Sequence, residues 1–352
     1  MPKGLRLWRH SQEQRKKTDF ENSDRRKTMN ILFCSAGRRC ELLKDFRKTM
    51  GETGKIIATD ISYTAPAIYM ADRYYIVPRI DDANYIPEIL KICVKENIQA
   101  VTTLIDPEIM LLAEHRKEFE EIGVEVLAPY TETAKLCFDK FEMFKYLKAK
   151  NIKTVLTYGD IAEFECDLKN KIIEFPVFVK PRTGSGSVGA RKIDNMDDLK
   201  SAMIDDPSLI IQEYMGDALD IDADIYVDTI SNQAVSLFSK KKLETKIGGA
   251  SKTVSFKDER LNQFAYEVLQ NFKFNGPIDM DLWYRNGEYY VSEINPRFGG
   301  GYLHAYGAGV DFIKLIENNV NKIENEPCFG NYDDDVVMMM YDSVVIQKIP
   351  NL

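Results

Sequence analysis

Residues 291–301 read VSEINPRFGGG, an apolar strand on which a carboxylate, a carboxamide and a guanidinium occupy alternate positions. Successive side chains of an extended chain point to opposite faces, so Glu293, Asn295 and Arg297 share one face and Ile294 and Pro296 the other. Just upstream, residues 278–284 read IDMDLWY, in which Asp279 and Asp281 alternate with Met280 and Leu282, and Arg285-Asn286-Gly287 supplies a hairpin turn. Such a hairpin lets Asp281 face Glu293. Two carboxylates and an amide oxygen are a hard-oxygen set of the kind magnesium accepts when phosphate oxygens and waters complete its shell. An ordinary amphipathic strand alternates in the same way, so the row needs support from elsewhere in the chain.

Working outward, the 352 residues are 44% hydrophobic and 29% charged, which allows a substantial core divided between two or three domains. No window approaches the ~18 uninterrupted apolar residues of a membrane-spanning helix, and no N-terminal apolar block resembles a secretory signal. A cytoplasmic protein with no membrane partner is expected. Six cysteines (Cys34, Cys40, Cys93, Cys137, Cys166, Cys328) form no close CxxC pair, which argues against zinc and against a disulfide framework. The net charge of −8 divides unevenly: residues 1–28 carry nine Lys/Arg against four Asp/Glu, leaving −13 on the remainder. An acidic body disfavours nucleic acid as a partner. Residues 1–28 have little apolar content and no sustained period, so a disordered leader is expected, with the folded protein beginning at Met29.

From Met29 the pattern alternates β and α. Apolar runs at 31–33, 55–59, 74–77, 100–104 and 124–127 predict buried strands, and 39–50, 86–96 and 109–122 predict helices. The expectation is a doubly wound parallel sheet over 29–130. Its first loop, CSAGRR, does not match GxGxxG, which argues against a dinucleotide site. Asp60 and the run Asp106-Pro107-Glu108 follow strands, where a crevice ligand or an ordinary helix cap are both sound readings.

A helical stretch at 131–150 places Lys140 among apolar residues, and the strand FPVFVKP ends in Lys180. An ammonium at the end of an apolar run must reach solvent or a partner. The loop RTGSGSVGA follows, with Thr183, Gly184, Ser185, Gly186 and Ser187 able to bring N–H and hydroxyl donors to phosphate, although a plain surface hairpin has the same composition. No GK[ST] follows, so this is not a Walker A loop. Further on, SLIIQEYM ends in Glu213-Tyr214-Met215, the acidic and apolar alternation from Asp220 to Asp228 predicts a half-exposed strand, and the basic cluster Lys240, Lys241, Lys242, Lys246 and Lys252 reads as a solvated run or as cations that meet phosphates or an anionic substrate.

The ordered set of Lys140, FVKP with Lys180, TGSGSVG, QEYM, Asp281 and EINPRFGGG resembles the ATP-grasp superfamily, in particular a single synthetase unit of the carbamoyl phosphate synthase large subunit, over roughly 29–319. The resemblance implies an α/β chain: an N-terminal doubly wound, Rossmann-like pre-ATP-grasp domain (29–130), then a two-lobed α+β ATP-grasp domain (131–325). Within the latter it implies a glycine-rich lid lobe at about 152–215, a metal and substrate lobe at about 216–325, and a C-terminal segment (326–352) packed on it. It further implies ATP and Mg2+ as cofactors, with Mn2+ as an alternative. Lys140, Lys180 and the loop from Thr183 to Ser187 would hold phosphates. Glu213, Tyr214 and Met215 would hold adenine, and Asp220 stands where family members usually carry a ribose-binding glutamate. Asp281, Glu293 and Asn295 would ligate the metal, with Arg297 and Lys180 catalytic. Gly300, Gly301 and His304, with Tyr302 and Tyr306 beside them, are candidate substrate residues, as are Asp106 and Glu108 for the cationic group of an amine.

The activity so implied is an ADP-forming carboxylate-amine ligase acting on small molecules: a carboxylate becomes an acyl phosphate and an amine displaces phosphate. Phosphoryl transfer asks chiefly for charge neutralisation, which a metal, two lysines and an arginine supply. Similar enzymes are commonly homodimers. Two alternatives stay open: phosphorylation of bicarbonate or carbamate, as in carbamoyl phosphate synthases, and a nucleotide-binding regulatory module without turnover. Against the first, the chain is too short for two synthetase units; against the second, the set Asp281, Glu293, Asn295 and Arg297 is intact.

Overall fold

The computed structural model describes residues 28–184, 189–246 and 249–349. Strands β1 (Ile31–Cys34), β2 (Ile56–Asp60), β3 (Arg73–Ile76), β4 (Ala100–Thr103) and β5 (Glu125–Val126) form a parallel sheet ordered β3-β2-β1-β4-β5. Their near-continuous apolar runs suit a sheet covered on both faces. The helices Cys40–Met50 and Tyr85–Glu96 lie where the periodicity puts them. The third expected helix is instead two, Asp106–Glu114 and Arg116–Glu121, parted at His115. It also starts three residues early, because Asp106-Pro107 suits a first helical turn. Strand order reverses between β1 and β4, so the loops after these strands, which carry Arg39 and Asp106, flank the crevice.

Strands β6 (Thr157–Tyr158), β7 (Val177–Pro181), β8 (Arg191–Ile193) and β9 (Leu209–Glu213) form a second, antiparallel sheet ordered β6-β9-β7-β8 around Tyr158, Phe164 and Leu199. The third sheet contains β10 (Leu219–Val227), β11 (Ala234–Lys246), β12 (Gly249–Ser255), β13 (Gly276–Arg285), β14 (Glu288–Asn295) and β15 (Val337–Met339), ordered β14-β13-β10-β11-β12-β15. The turn between β13 and β14 has positive φ at both Asn286 (53°) and Gly287 (84°), the pairing that matches the twist of a two-residue hairpin. Strand β10 is central in this sheet and buried from Ile221 to Val227, so the half-exposed strand expected there is corrected: its carboxylates lie inside. The C-terminal segment contributes β15 to the edge of β12, and Tyr332 is buried, its hydroxyl accepting from the Ser239 N–H at 3.1 Å.

One face of the six-stranded sheet is covered by the helices Lys140–Ala149 and Glu259–Leu269, whose Leu147, Leu261 and Val268 meet Ile225 and Met280. The other face joins the first domain in a continuous core. Phe46 packs edge-on against both Phe33 (4.8 Å) and Phe298 (5.6 Å), and Phe238, Tyr302 and Phe312 belong to the same cluster. Among the described residues, no helix is long and apolar enough to cross a membrane. The leader expected at 1–28 lies, but for Thr28, outside the described residues.

Candidate active site

The β13–β14 hairpin sets Asp281 opposite Glu293 and Asp279 opposite Asn295. Glu293 is paired with Lys140, whose Nζ lies 3.4 Å from the carboxylate and donates to the Gly184 carbonyl at 2.5 Å. Asp139, just before, caps the Lys140–Ala149 helix by accepting from the N–H groups of Phe141 and Glu142, and it also holds Arg182. That cap fixes where Lys140 emerges. Lys180, at the end of β7, reaches the same place: burial lowers its pKa, Glu293 opposes the shift and Lys140 adds to it. Two ammonium groups therefore act on one carboxylate, close to Gly184, which has φ +93°.

Asp281 accepts from Lys242 on one oxygen and from the Asn295 amide on the other, at 3.1 Å. Asn295 turns its nitrogen toward Asp281 and so leaves its oxygen available. Lys242 also pairs with Asp220 at 3.1 Å, where burial raises the carboxyl pKa to about 6 against the opposing pull of the lysine. Burial opposes the charge on Lys242, yet Asp281, Asp222 and Asp220 together keep its pKa well above the ordinary lysine value. The lysine run is thus only partly solvated. Along β11, Lys240 and Lys242 point inward, while Lys241 lies over the Phe256 ring at 5.1 Å. Asp281, Glu293 and Asn295 offer hard oxygens, and both carboxylates are balanced by ammonium groups on flexible stems. This donor set fits magnesium.

Beyond Asn295, Arg297 crosses to the first domain and binds Asp106 through both oxygens, at 2.5 and 3.2 Å. Burial works against its charge, but Asp106, Asp279 and Glu293 together leave the pKa raised. Asp106 accordingly reaches the cleft already engaged by a guanidinium. A recess beside this pair is lined by Asp106, Ile109, Met110, Cys137, Gly184 and Glu293, among others. Glu108 stands apart. It has no exposed surface, accepts hydrogen bonds from Tyr85 and Thr103 (2.5 Å for the latter), and burial pushes its carboxyl to about 8. Its candidate role toward an amine is therefore corrected to one inside the first domain.

Behind the hairpin, the carboxylates of Asp222, Asp224 and Asp279 lie within 4.8 Å of one another, and the fully buried Lys240 pairs with Asp224 and, at 3.3 Å, with Asp222. The glycine run packs on this cluster. A Cβ at Gly299 would lie 2.6 Å from Asp279 Cγ, and one at Gly301 would lie 2.9 Å from Lys240 Cε. Gly301 thus permits close approach of the protein to itself, and the expectation that it contacts substrate is corrected. His304 is corrected likewise: it is buried, shares a hydrogen bond with Thr253 Oγ1 at 2.7 Å, and burial lowers its pKa to about 4 with Lys240 contributing. Tyr302 accepts from the Phe312 N–H at 2.9 Å, and Tyr306 bonds Thr49 at 2.9 Å, so both tie helices together. Gly300 lies against Arg39, whose Nη1 would be 3.1 Å from a Cβ at this position.

At the nucleotide end, Glu213 closes β9 and is held by Arg285, Tyr214 is exposed and Met215 is buried. Thr183 and Gly184 are exposed at the start of the lid loop; Ser185, Gly186 and Ser187 lie outside the described residues. The arrangement brings Lys140, Lys180, Asp281, Glu293, Asn295, Arg297 and Asp106 to one cleft. Sequence reading missed Arg39, and it placed Lys240 and Lys242 in a basic cluster without their carboxylate partners. The double-arginine loop CSAGRR was the available signal for Arg39.

Residues 31–127 match the family described as PylC-like, N-terminal domain, and residues 137–301 match the ATP-grasp domain. D-alanine–D-alanine ligase B of Clostridium perfringens is 30% identical over 163 residues, which cover 42% of this chain and about half (53%) of that protein. The formate-dependent phosphoribosylglycinamide formyltransferase of Prochlorococcus marinus subsp. pastoris is 24% identical over 77% of this chain and 68% of its own length. The Staphylococcus aureus N5-carboxyaminoimidazole synthetase complexed with ADP superposes with a TM-score of 0.68 at 17% identity, over 86% of this chain and 79% of that one. The biotin carboxylase domain of Hydrogenobacter thermophilus 2-oxoglutarate carboxylase, solved with MgADP, superposes at 0.67 and 16% identity, over 88% and 73%.

Proposed function

We propose, for a chain built as a PylC-like N-terminal domain followed by an ATP-grasp domain, an ADP-forming ligase that activates a small carboxylate and joins it to an amine. The observation that carries this reading is the hairpin pairing of Asp281 with Glu293, with Lys140, Lys180 and Lys242 converging on it and Arg297 two residues beyond Asn295. Lys140 and Lys180 balance the phosphate charge of ATP, and the lid loop from Thr183 closes over it. Asp281, Glu293 and Asn295 would hold Mg2+, which when bound neutralises charge on the phosphoryl oxygens. Mn2+ meets the same oxygen donors.

A carboxylate oxygen attacks the γ-phosphorus, the bond to the ADP oxygen breaks, and the acyl phosphate forms beside Arg297. The amine nitrogen then attacks the acyl carbon, phosphate leaves, and the nitrogen gives up a proton as the amide forms. Arg297, fixed by Asp106, stabilises charge on both phosphorylated species. Keeping water away falls to the lid loop and the apolar walls Ile109, Met110 and Phe138.

The test is ADP release from purified protein with MgATP and pooled carboxylic and amino acids, with mass spectrometry for a condensed product. ADP release that needs a carboxylate, and an amide product that needs an amine, are expected. ATP binding with no substrate-dependent ADP release sinks the proposal in favour of a regulatory module, and carbamoyl phosphate as product would favour the bicarbonate reading.

A further inference from the structure

Arg39 lies outside every role described so far, although it reaches the same cleft from the first domain. We propose that Arg39 is a substrate-recognition residue which, together with Arg297, receives a carboxylate group of the acid substrate at the junction of the two domains. The inference rests on the ligase reading above and says where that substrate's charge is held.

The backbone that carries Arg39 is fixed from several sides. Asp60, at the end of β2, accepts from the Gly37 N–H at 2.9 Å and the Ser62 N–H at 3.2 Å. The Ala36 N–H donates to Thr59 at 3.0 Å, the Ala67 N–H donates to Gly37 at 3.0 Å, and the Arg39 N–H donates to Ala36 at 3.1 Å. Ser35 and Gly37 both hold left-handed backbone, with φ of 49° and 54°. So tightly bound a turn delivers its last side chain to one place, the crevice where strand order reverses.

What arrives there is a guanidinium without an acceptor. Among the described residues, the side chain of Arg39 makes no hydrogen bond and no ion pair within 4.0 Å. Its neighbours include a second guanidinium: burial first, and Arg297 next, bring the Arg39 pKa down to about 10, while Asp279 and Asp106 act the other way. Asp106 is already gripped by Arg297 through both oxygens. Five donors confined beside a like charge are costly to leave unmet, and a planar anion between the two forks satisfies both.

Gly300 lets the Arg39 guanidinium lie against the backbone just beyond Arg297. A Cβ there would lie 3.1 Å from Nη1 of Arg39, so any side chain at this position would press on the guanidinium. All three glycines are small because side chains pack on them, and at Gly300 that side chain is the guanidinium of Arg39. Glu293, Asn295, Arg297 and Gly300 follow one another along the chain, so the route leads from the metal-ligand end to Arg39.

The experiment measures binding of acetate, malonate, L-glutamate and inorganic phosphate, each separately, to the full chain with MgADP, by calorimetry, beside ADP release with MgATP and the same acids. Wild type, Arg39→Ala and Arg39→Lys are compared, and MgADP affinity reports on the integrity of the nucleotide site. The expected result is that at least one carboxylate binds the wild type, that Arg39→Ala weakens it about tenfold or more, and that Arg39→Lys recovers part of the loss, with MgADP affinity unchanged within about twofold. In turnover the loss falls on the KM of the acid more than on kcat. Equal carboxylate affinity in wild type and Arg39→Ala overturns the inference, as does failure of all three carboxylates to bind the wild type. Arg39-dependent binding of phosphate alone replaces the carboxylate with a phosphate-bearing ligand and overturns it too. Arg39-dependent carboxylate binding without any ADP release counts against the ligase reading only, and ADP release indifferent to Arg39 counts against this inference only.

Discussion

Lys240 has no exposed surface, and its ammonium is shared between Asp222 and Asp224. Removing one partner of a buried ion pair leaves an uncompensated charge, at a cost of roughly 3–5 kcal/mol. Lys240→Ala is therefore expected to lower the urea midpoint steeply even though the residue lies behind the cleft; a midpoint within experimental error of wild type would mean that Asp222 and Asp224 do not depend on it. Glu108 gives a second residue-level prediction, with a definite sign. Burial raises its carboxyl from an ordinary 4.5 to about 8, so between these values the folded protein binds a proton that the unfolded chain has released. Stability contributed by this group is full below pH ~4.5 and is lost as pH rises toward 8. Glu108→Gln keeps the shape and abolishes the titration. The melting temperature of wild type should fall relative to that of Glu108→Gln between pH 5 and pH 8, and parallel profiles would show that Glu108 ionises freely in the fold.

At the scale of elements, the strands that bear the chemistry are legible for a local reason. The period of β13 and β14 and their Asn286-Gly287 turn fix the register, so the pairing of Asp281 with Glu293 follows from a dozen contiguous residues. The lysines of β11 obey the same period of two, but whether the inward set meets water or carboxylate depends on the order β13-β10-β11, which is a matter of long-range pairing. Hence Lys240 and Lys242 read only as part of a basic cluster and are in fact the counter-charges of Asp222, Asp224, Asp220 and Asp281. His304 and Gly301 were misread for a related reason: residues beside a site in sequence turn out to face the layer behind it. Arg39 had only the double-arginine loop as a local signal, because the glycine run it packs against lies far later in the chain. The edge strand β15 supports an element-level prediction. Truncation after Asp335 removes its pairing with β12 and the hydrogen bonds Ser255 N–H to Val336 and Met340 N–H to Ser251, both 2.9 Å. A loss of about 2 kcal/mol is expected from a few net backbone bonds, with self-association through the bared edge of β12. An unchanged denaturation midpoint and no concentration-dependent scattering would contradict this.

The two domains are held together where the cleft residues Arg297 and Asp106 meet. The helix Cys40–Met50 buries Phe46 against Phe298, while Thr49 bonds both Tyr306 and Asp311 at 2.9 Å, so the first domain and the ATP-grasp domain share one apolar core. The ion pair of Arg297 with Asp106 spans the same junction. Separating the two would expose this face on both sides, and a core of this kind couples their unfolding. Heating is therefore expected to give one calorimetric transition for these two parts, with the small lobe of β6 to β9, tied to them mainly by polar contacts such as Arg182 with Asp139 and Glu142 and Glu213 with Arg285, free to loosen earlier. MgATP, which the proposed site grips between that lobe and the hairpin, should raise the melting temperature and draw any early transition toward the main one; at 100 times Kd the gain is about 2.7 kcal/mol. Two transitions of comparable enthalpy, with residues 29–130 unfolding independently, would refute the shared core. A cleft built this way holds Arg297 and Asp106 together across the junction of the two domains, which on the proposed reading is where Arg39 and Arg297 receive the acid.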